Sequence, residues 1–260
     1  MTINFHKYQG TGNDFILLDN RENLYDALNS DQIKFLCDRH FGIGADGLML
    51  LNSSRDFDFE MKYYNSDGNE SSMCGNGGRC ITAFAKDLDI ISSKAVFTAI
   101  DGRHEAAIDE QEYVRLHMND VNGILVNETY TELNTGSPHY VHFTDYVDEM
   151  DMKKEGKLIR YSPKYKDEGI NVNFVEKLSE HSIFVRTYER GVEDETLSCG
   201  TGVTASAIAF KADAIGAQHV KVNTLGGDLE VFFMMENKNS VHDVMLCGRA
   251  EFVFEGSVQV

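Results

Sequence analysis

A short, unusual arrangement occurs twice in this chain, and that repetition limits the folds open to it. "SMCGNGGRC" spans residues 72–80 and "SCGTGVTAS" spans 198–206. Each puts a cysteine just before glycines and an apolar stretch. The two cysteines, Cys74 and Cys199, are 199 − 74 = 125 positions apart. The same offset carries Tyr63 onto Tyr188, Glu70 onto Glu195, Gly75 onto Gly200 and Gly77 onto Gly202. Farther out it carries Gly44 onto Gly169, Gly102 onto Gly227 and Glu105 onto Glu230, while "GNDFILL" meets "GSPHYVHF" at 136 − 12 = 124. A long unit present twice predicts two homologous halves, since a solenoid needs three or more short repeats.

Each half reads as mostly strand with one or two helices. In "FDFEMKYY", Phe57, Phe59, Met61 and Tyr63 alternate with polar residues, the period of a half-buried strand. "EYVRLHM" and "SIFVRTYER" read similarly. After Cys74, "GRCITAFAKDL" has helical spacing; after Cys199, "GTGVTASAIAFKADAIGA" has it with very small side chains, which predicts a buried central helix. "TDYVDEMDMKKEGK" reads as a solvated helix or loop. The expected class is α/β (α+β): two pseudo-symmetric domains, each a mixed β-sheet rolled around a central helix whose N-terminus carries the cysteine.

The chain has 260 residues, 42% of them hydrophobic and 25% charged, as in an ordinary globular protein with a real core. Its formal net charge of −18 argues against nucleic acid or an anionic membrane surface as partner. The N-terminus lacks a secretory pattern, and no run approaches the roughly 18 apolar residues of a membrane span. A cytoplasmic location, with reduced thiols, is the expectation. Five cysteines at wide spacing do not make a disulfide framework, and neither CxxC nor HExxH occurs, so no metal site is expected. Cys37 and Cys247 read as packing residues, as does Cys80 within its helical pattern. No GK[ST] follows "GNGGR", which disfavours a nucleotide loop.

A helix N-terminus lowers the pKa of a thiol placed there and offers N–H groups to a carboxylate. Two such ends face to face would flank one carboxylate site with two thiols. That suits inversion at an α-carbon, with a base on one side and an acid on the other. The two thiols must then titrate apart.

The motifs resemble those of the diaminopimelate epimerase family. The likeness runs through "GTGNDFILLD", "RHFGIGADGL", "YYNSDGNESSMCGNGGRC", "GSPHYV", "GINVNFVE" and "TYERGVEDETLSCGTG", and so covers essentially the whole chain. It implies cofactor-independent epimerisation of LL- to meso-2,6-diaminopimelate, in lysine and peptidoglycan precursor synthesis, by an isomerase that uses neither pyridoxal phosphate nor metal. Cys74 and Cys199 would be the two acid/base residues. The backbone at Gly75, Asn76, Gly200 and Thr201 would hold the reacting carboxylate. Asn13, Asn65, Asn171, Glu189 and Arg190 match substrate-binding positions, and Arg190 would grip the distal carboxylate. His139 matches a histidine near the reaction centre. The implied division is residues 1–116, joined by the C-terminal strand 248–260, and residues 117–247. A homodimer stays open.

Two positions depart from the family pattern. Ser137 stands where Asn is frequent, and Gly47 where Gln is frequent. Plainer roles also remain open: turn hydrogen bonds for Asn13 and Asn65, and a surface pair for Glu189 and Arg190. Rival functions are a racemase for a compact amino acid such as proline or hydroxyproline, which has no second carboxylate for Arg190, and a thiol-dependent binding or redox protein.

Overall fold

A computed structural model describes all 260 residues, and the chain forms two compact units: Met1–Leu116 with Arg249–Val260, and His117–Gly248. The first unit contains β1 (Thr2–Gly10), β2 (Asn13–Asp19), α1 (Ser30–Cys37), β3 (Gly47–Asn52), β4 (Phe59–Asn65), β5 (Glu70–Ser71), α2 (Gly75–Asp87), β6 (Lys94–Ala99), β7 (Gly102–Ile108) and β8 (Tyr113–His117). The second contains β9 (Val121–Asn122), β10 (Leu125–Val126), β11 (Thr131–Asn134), β12 (Pro138–Phe143), α3 (Met152–Arg160), β13 (Asn171–Ser179), β14 (Ser182–Glu189), β15 (Asp194–Thr196), α4 (Gly200–Phe210), β16 (Gly216–Thr224), β17 (Gly227–Asn237) and β18 (Ser240–Arg249). The C-terminal strand β19 (Glu251–Gln259) returns to pair antiparallel with β1, from Thr2↔Gln259 to Gln9↔Glu251.

The two units repeat one ladder plan. In the first, β1–β2 is antiparallel, β2–β3 parallel, β3–β4 antiparallel, β4–β6 parallel and β6–β7 antiparallel. In the second, β11–β12, β12–β13, β13–β14, β14–β16 and β16–β17 follow the same sequence of directions. Each parallel pair needs a crossover, and a helix supplies it every time: α1 and α2 in one unit, α3 and α4 in the other. The shared glycines turn the chain at matching points. Gly102 and Gly227 both take positive φ, 119° and 136°, a region open chiefly to glycine.

The inner helices are the buried ones. In α2 every residue from Gly75 to Ala85 is buried, and in α4 nearly all from Gly200 to Ala209. The outer helices cover the opposite sheet faces. α1 starts with a capping box between Asn29 and Gln32 and buries Ile33, Leu36 and Cys37 against Ile16, Leu18, Leu48 and Leu50. Strands β2 and β3 are therefore covered on both faces, and Phe15–Leu18 and Leu48–Leu51 are buried without alternation. Strand β4 alternates as expected, with Phe59, Met61 and Tyr63 inward.

Three expectations need correction. α4 stops at Phe210, and the small-residue stretch ends at the start of β16 instead. The segment around Met152 does form a helix, but not a wholly solvated one. Met152 packs with Ile170, Val172 and Tyr188, and Gly156 sits against Tyr188. The third concerns the repeat offset. The ladders pair Leu48 with Tyr64 and Val172 with Tyr188, so Tyr188 matches Tyr64 (188 − 64 = 124), not Tyr63. The turn after β14 is one residue longer than the turn after β4, because Tyr64 pairs with Glu70 but Tyr188 with Glu195. The offset of 125 holds only beyond that turn.

A charge cluster pins the start of β2 to the loop before β3. Lys7, nearly buried, donates to the Gly44 carbonyl and lies 2.7 Å from Asp14 Oδ2. Arg39 reaches both Asp14 and Asp46, at 2.7 and 2.6 Å. Burial would raise the Asp14 pKa, but hydrogen bonds from Arg39 and Lys7 outweigh it and hold the carboxyl well below the usual range. No helix is long and apolar enough to cross a membrane.

Two predictions follow from this packing. Gly156→Ala adds a β-carbon 2.4 Å from Tyr188 Cβ. Alanine normally stabilises a helix interior by up to about 1 kcal/mol over glycine, but here overpacking should win and cost about 1–3 kcal/mol. Urea unfolding reads the sign, and a gain in stability would refute the contact. Asp14→Asn should cost about 1–2 kcal/mol near neutral pH, by removing the ionic partner of the buried Lys7 from a half-exposed cluster. A depressed carboxylate stabilises the fold above its unfolded pKa of about 3.9 and loses that contribution as pH falls through the lower folded value. The gap between wild type and variant should therefore close on acidification below about pH 4. A pH-independent gap would show that Asp14 does not act through its charge.

Candidate active site

Each cysteine is the residue immediately before an inner helix. Cys74 is the N-cap of α2, and its Sγ accepts from the Gly77 N–H at 3.2 Å. Cys199 is the N-cap of α4 and makes no such bond; its Sγ lies 3.4 Å from Thr201 Oγ1. Cys74 is half-buried and Cys199 is 8% exposed. The first-turn N–H groups of each helix have no place in its internal ladder and carry the positive end of its dipole, which favours thiolate and carboxylate alike.

The motif glycines answer first to packing. A β-carbon on Gly77 would lie 3.0 Å from Met49 Cε and 3.1 Å from Cys74 Sγ. One on Gly202 would lie 2.4 Å from Asn173 Oδ1. One on Gly78 would meet Met73 and Leu116 below 3 Å. Close approach of the helix to neighbouring side chains, not only of ligand to backbone, favours glycine here.

In the first unit, Asn13 opens β2. Its Nδ2 donates to Asp46 Oδ2 at 2.6 Å, and its Oδ1 accepts from Asn76 Nδ2 at 3.2 Å. The carboxamides of Asn13 and Asn76 are thus joined at the mouth of α2. Asn65 ends β4, where its backbone closes the turn with Asn69 and Gly68. Gly47 faces the Tyr63 ring: an added Cβ would lie 2.6 Å from Tyr63 Cε2 and 3.0 Å from its hydroxyl. The phenol fills the space that a longer side chain at position 47 would need. Arg79, fully buried, donates to the Gly75 carbonyl at 3.2 Å and to Thr11 Oγ1 at 3.1 Å, bracing the first turn.

In the second unit Asn171, Ser137, His139, Thr201, Cys199 and the Arg190 backbone form one network. Asn171 is buried; its Nδ2 donates to Ser137 Oγ at 3.0 Å and to the Pro138 carbonyl at 3.1 Å, and its Oδ1 accepts from the Arg190 N–H at 2.9 Å. Ser137 Oγ also contacts His139 Nε2 at 3.0 Å and Thr201 Oγ1 at 3.1 Å. Burial, reinforced by the Arg190 charge, pushes the His139 pKa down to about 3, so the ring is neutral. Glu189 accepts from Thr196 Oγ1 at 2.9 Å, and exposed Arg190 donates to the Glu168 carbonyl at 3.1 Å. A surface cavity of about 540 Å³ lies at the far end of α4, lined by Thr129, His142, Phe210 and Lys211, away from Cys199.

Register makes the two halves comparable residue by residue. Phe15 pairs with Gly47 as His139 pairs with Asn171, and Met49 pairs with Tyr63 as Asn173 pairs with Thr187. Asn13 matches Ser137 and Asn65 matches Glu189, both at 124 (137 − 13, 189 − 65), so Arg190 belongs to the longer turn and mirrors no strand residue. Asn173, Thr187, Asp46 and Arg79 were not singled out from the sequence. Asn173 had one available signal: a polar residue two places after Asn171, between Val172 and the buried Phe174 and Val175. Of the remaining thiols, burial pushes Cys37 up to about 12 and raises Cys80 as well, and Cys247 is buried in β18. That fits packing roles.

Comparison with known proteins meets this geometry. The family model described as diaminopimelate epimerase matches residues 5–123 and 131–253, one stretch for each cysteine motif. A diaminopimelate epimerase of Flavobacterium psychrophilum is 52% identical over 98% of this chain and 100% of its own. Among solved structures, a PhzF-family phenazine biosynthesis protein of Bacillus anthracis aligns over 100% of both chains with a TM-score of 0.74 at 15% identity. A hydroxyproline epimerase of Agrobacterium vitis aligns over 99% of this chain and 92% of its own, with a TM-score of 0.69 at 12% identity. These two likenesses establish the fold, of mixed sheets around buried helices, and the sequence matches over nearly the whole length establish more: the chain belongs to the diaminopimelate epimerase family.

Proposed function

We propose that this chain interconverts LL- and meso-2,6-diaminopimelate by a two-base reaction at two cysteines. Membership of the family across nearly the whole chain carries the proposal, and the matched N-cap positions of Cys74 and Cys199 support the mechanism. Inversion at an α-carbon removes a proton from one face and returns one to the other. One cysteine acts as thiolate and takes the α-proton. The electron pair of the C–H bond passes toward the carboxylate. The other cysteine, a thiol, delivers its proton to the opposite face. Thiolate and thiol have then exchanged places, and the reverse reaction uses them in the opposite order.

The α-hydrogen is a weak acid, so the carbanion needs donors at the carboxylate where charge develops. Backbone N–H groups at Gly75, Asn76, Gly200 and Thr201 take that part, each at a positive helix end. Asn13, Asn65, Asn171 and Glu189 hold the substrate's ammonium groups and orient it. Arg190 takes the distal carboxylate. Asn171 orients the substrate through Ser137 and the Arg190 backbone, which its amide already engages. His139 and Ser137 support the Cys199 end. Residues 1–116 with the C-terminal strand carry one thiol and residues 117–247 the other. Neither pyridoxal phosphate nor a metal enters the proton balance. A reducing cytoplasm suits two working thiols.

Proton NMR of LL-diaminopimelate in D₂O tests this directly. The reduced protein should introduce deuterium at the α-carbon as the meso form grows. Cys74→Ala and Cys199→Ala should each abolish epimerisation, a loss of at least about a thousandfold. Full activity in either single variant would sink the two-base scheme. Turnover of proline or hydroxyproline instead would move the assignment to the compact-substrate racemases.

A further inference from the structure

We propose that Asn173, His139, Ser137 and Thr201 form a one-way hydrogen-bond chain that ends as a donor on the Cys199 sulfur and favours its thiolate. The inference rests on the reading of Cys199 as an acid/base residue. It adds a direction, two further positioning residues, Asn173 and Thr187, and a role for the departure at Ser137.

The direction is set from the buried end. Asn173 Nδ2 lies 3.0 Å from the Tyr140 carbonyl, which can only accept, and its Oδ1 receives the Thr187 hydroxyl at 2.9 Å. That fixes the amide, so its second N–H points to His139 Nδ1 at 3.1 Å. His139 Nδ1 is therefore an acceptor, and the neutral ring carries its proton on Nε2. Nε2 donates to Ser137 Oγ at 3.0 Å. Asn171 Nδ2 donates to the same oxygen at 3.0 Å. Both lone pairs of Ser137 are then in use, and its own proton goes to Thr201 Oγ1 at 3.1 Å. Having accepted, the Thr201 hydroxyl turns its proton to Cys199 Sγ at 3.4 Å. Each acceptance polarises the next donor, so the last one is the strongest.

The fold does not require this network. At the matching sheet positions of the first unit stand Phe15 for His139, Met49 for Asn173 and Tyr63 for Thr187. A phenylalanine, a methionine and a tyrosine ring stand there in place of the histidine, amide and hydroxyl. A buried polar chain is costly unless fully paired, and here it is paired along its length up to the sulfur. The ionisable groups at this end of the second unit are His139 itself, Arg190, whose charge helps keep that ring neutral, and Glu189, which accepts from Thr196 three residues before Cys199. The arrangement also separates the two thiols chemically. Cys74 has a backbone N–H as its donor, whereas Cys199 has a tunable hydroxyl.

Alkylation by iodoacetamide over a pH series, without substrate, tests the chain. Peptide mass spectrometry reads Cys199 and Cys74 separately in the reduced protein. Thr201→Val should raise the midpoint for Cys199 by about one pH unit or more, the effect of removing a hydrogen bond to a charged group, and Ser137→Ala should raise it in the same direction by less, the effect of removing only the upstream polarisation. The Cys74 midpoint should stay in place, and Thr201→Ser should restore that of Cys199. Ser137 does not touch the sulfur, so a shift in Ser137→Ala must travel through Thr201. Ultraviolet thiolate absorbance in a Cys74→Ala background gives the same midpoint independently of alkylation. An unmoved Cys199 midpoint in both variants, or equal movement of both cysteines, would overturn the proposal. Because no turnover is read, a wrong substrate assignment would leave this result intact.

Discussion

Each half of the molecule depends on one tight contact, an inner helix whose first-turn glycine lies close against a side chain of the neighbouring strand. Gly77 against Met49 and Gly202 against Asn173 are the same contact made twice. That contact fixes where the helix begins, and the residue before it is the cysteine. The positive helix end, the sulfur and the strand termini that bear Asn13 or Ser137 are thereby brought to one place in each unit. Dispersion and sterics set the geometry, and electrostatics then acts on groups that packing has already positioned.

Much of this was legible in the sequence because it was written twice. The repeated cysteine motif identified two halves, and helical spacing after each cysteine located the inner helices. The alternation of Phe59, Met61 and Tyr63 located a strand and its inward face. The misses have physical causes. A fixed offset of 125 cannot register a one-residue difference in a turn, so Tyr63 was set on Tyr188 where hydrogen-bond pairing sets Tyr64. The stretch after Phe210 keeps small residues that suit a helix, but Gly216 begins a strand whose partners lie far off in sequence. Helix α1 is short and its apolar face is only Ile33, Leu36 and Cys37, too little periodicity to stand out.

The site was half legible for a related reason. Residues in the motifs, from Asn13 to Arg190, announce themselves by type and position. Asn173 and Thr187 do not, since they sit inward on strands where an apolar residue would pack as well. Their polar character matters only because His139 lies beside them, and adjacency across a ladder is not visible along a chain. Ser137 stands where the longer amide of Asn is frequent. In the structure its single hydroxyl accepts twice and donates once, the stoichiometry needed to pass a hydrogen bond onward.

Duplication gives two similar thiols, and similar thiols are poorly suited to a reaction that needs one protonated and one not. In the proposed reaction, two equal groups would leave the position of the proton unspecified. Asymmetry has to come from the surroundings, and the strands supply it. They keep the same register in both units while exchanging Phe15, Met49 and Tyr63 for His139, Asn173 and Thr187. The exchange preserves the close helix contact, because Gly202 lets Asn173 approach as Gly77 lets Met49 approach. The fold can thus remain symmetric in backbone while the two sulfurs differ in their donors. The side chains that differ between the two halves lie one layer behind the sulfurs, where a change of polarity costs no change of architecture.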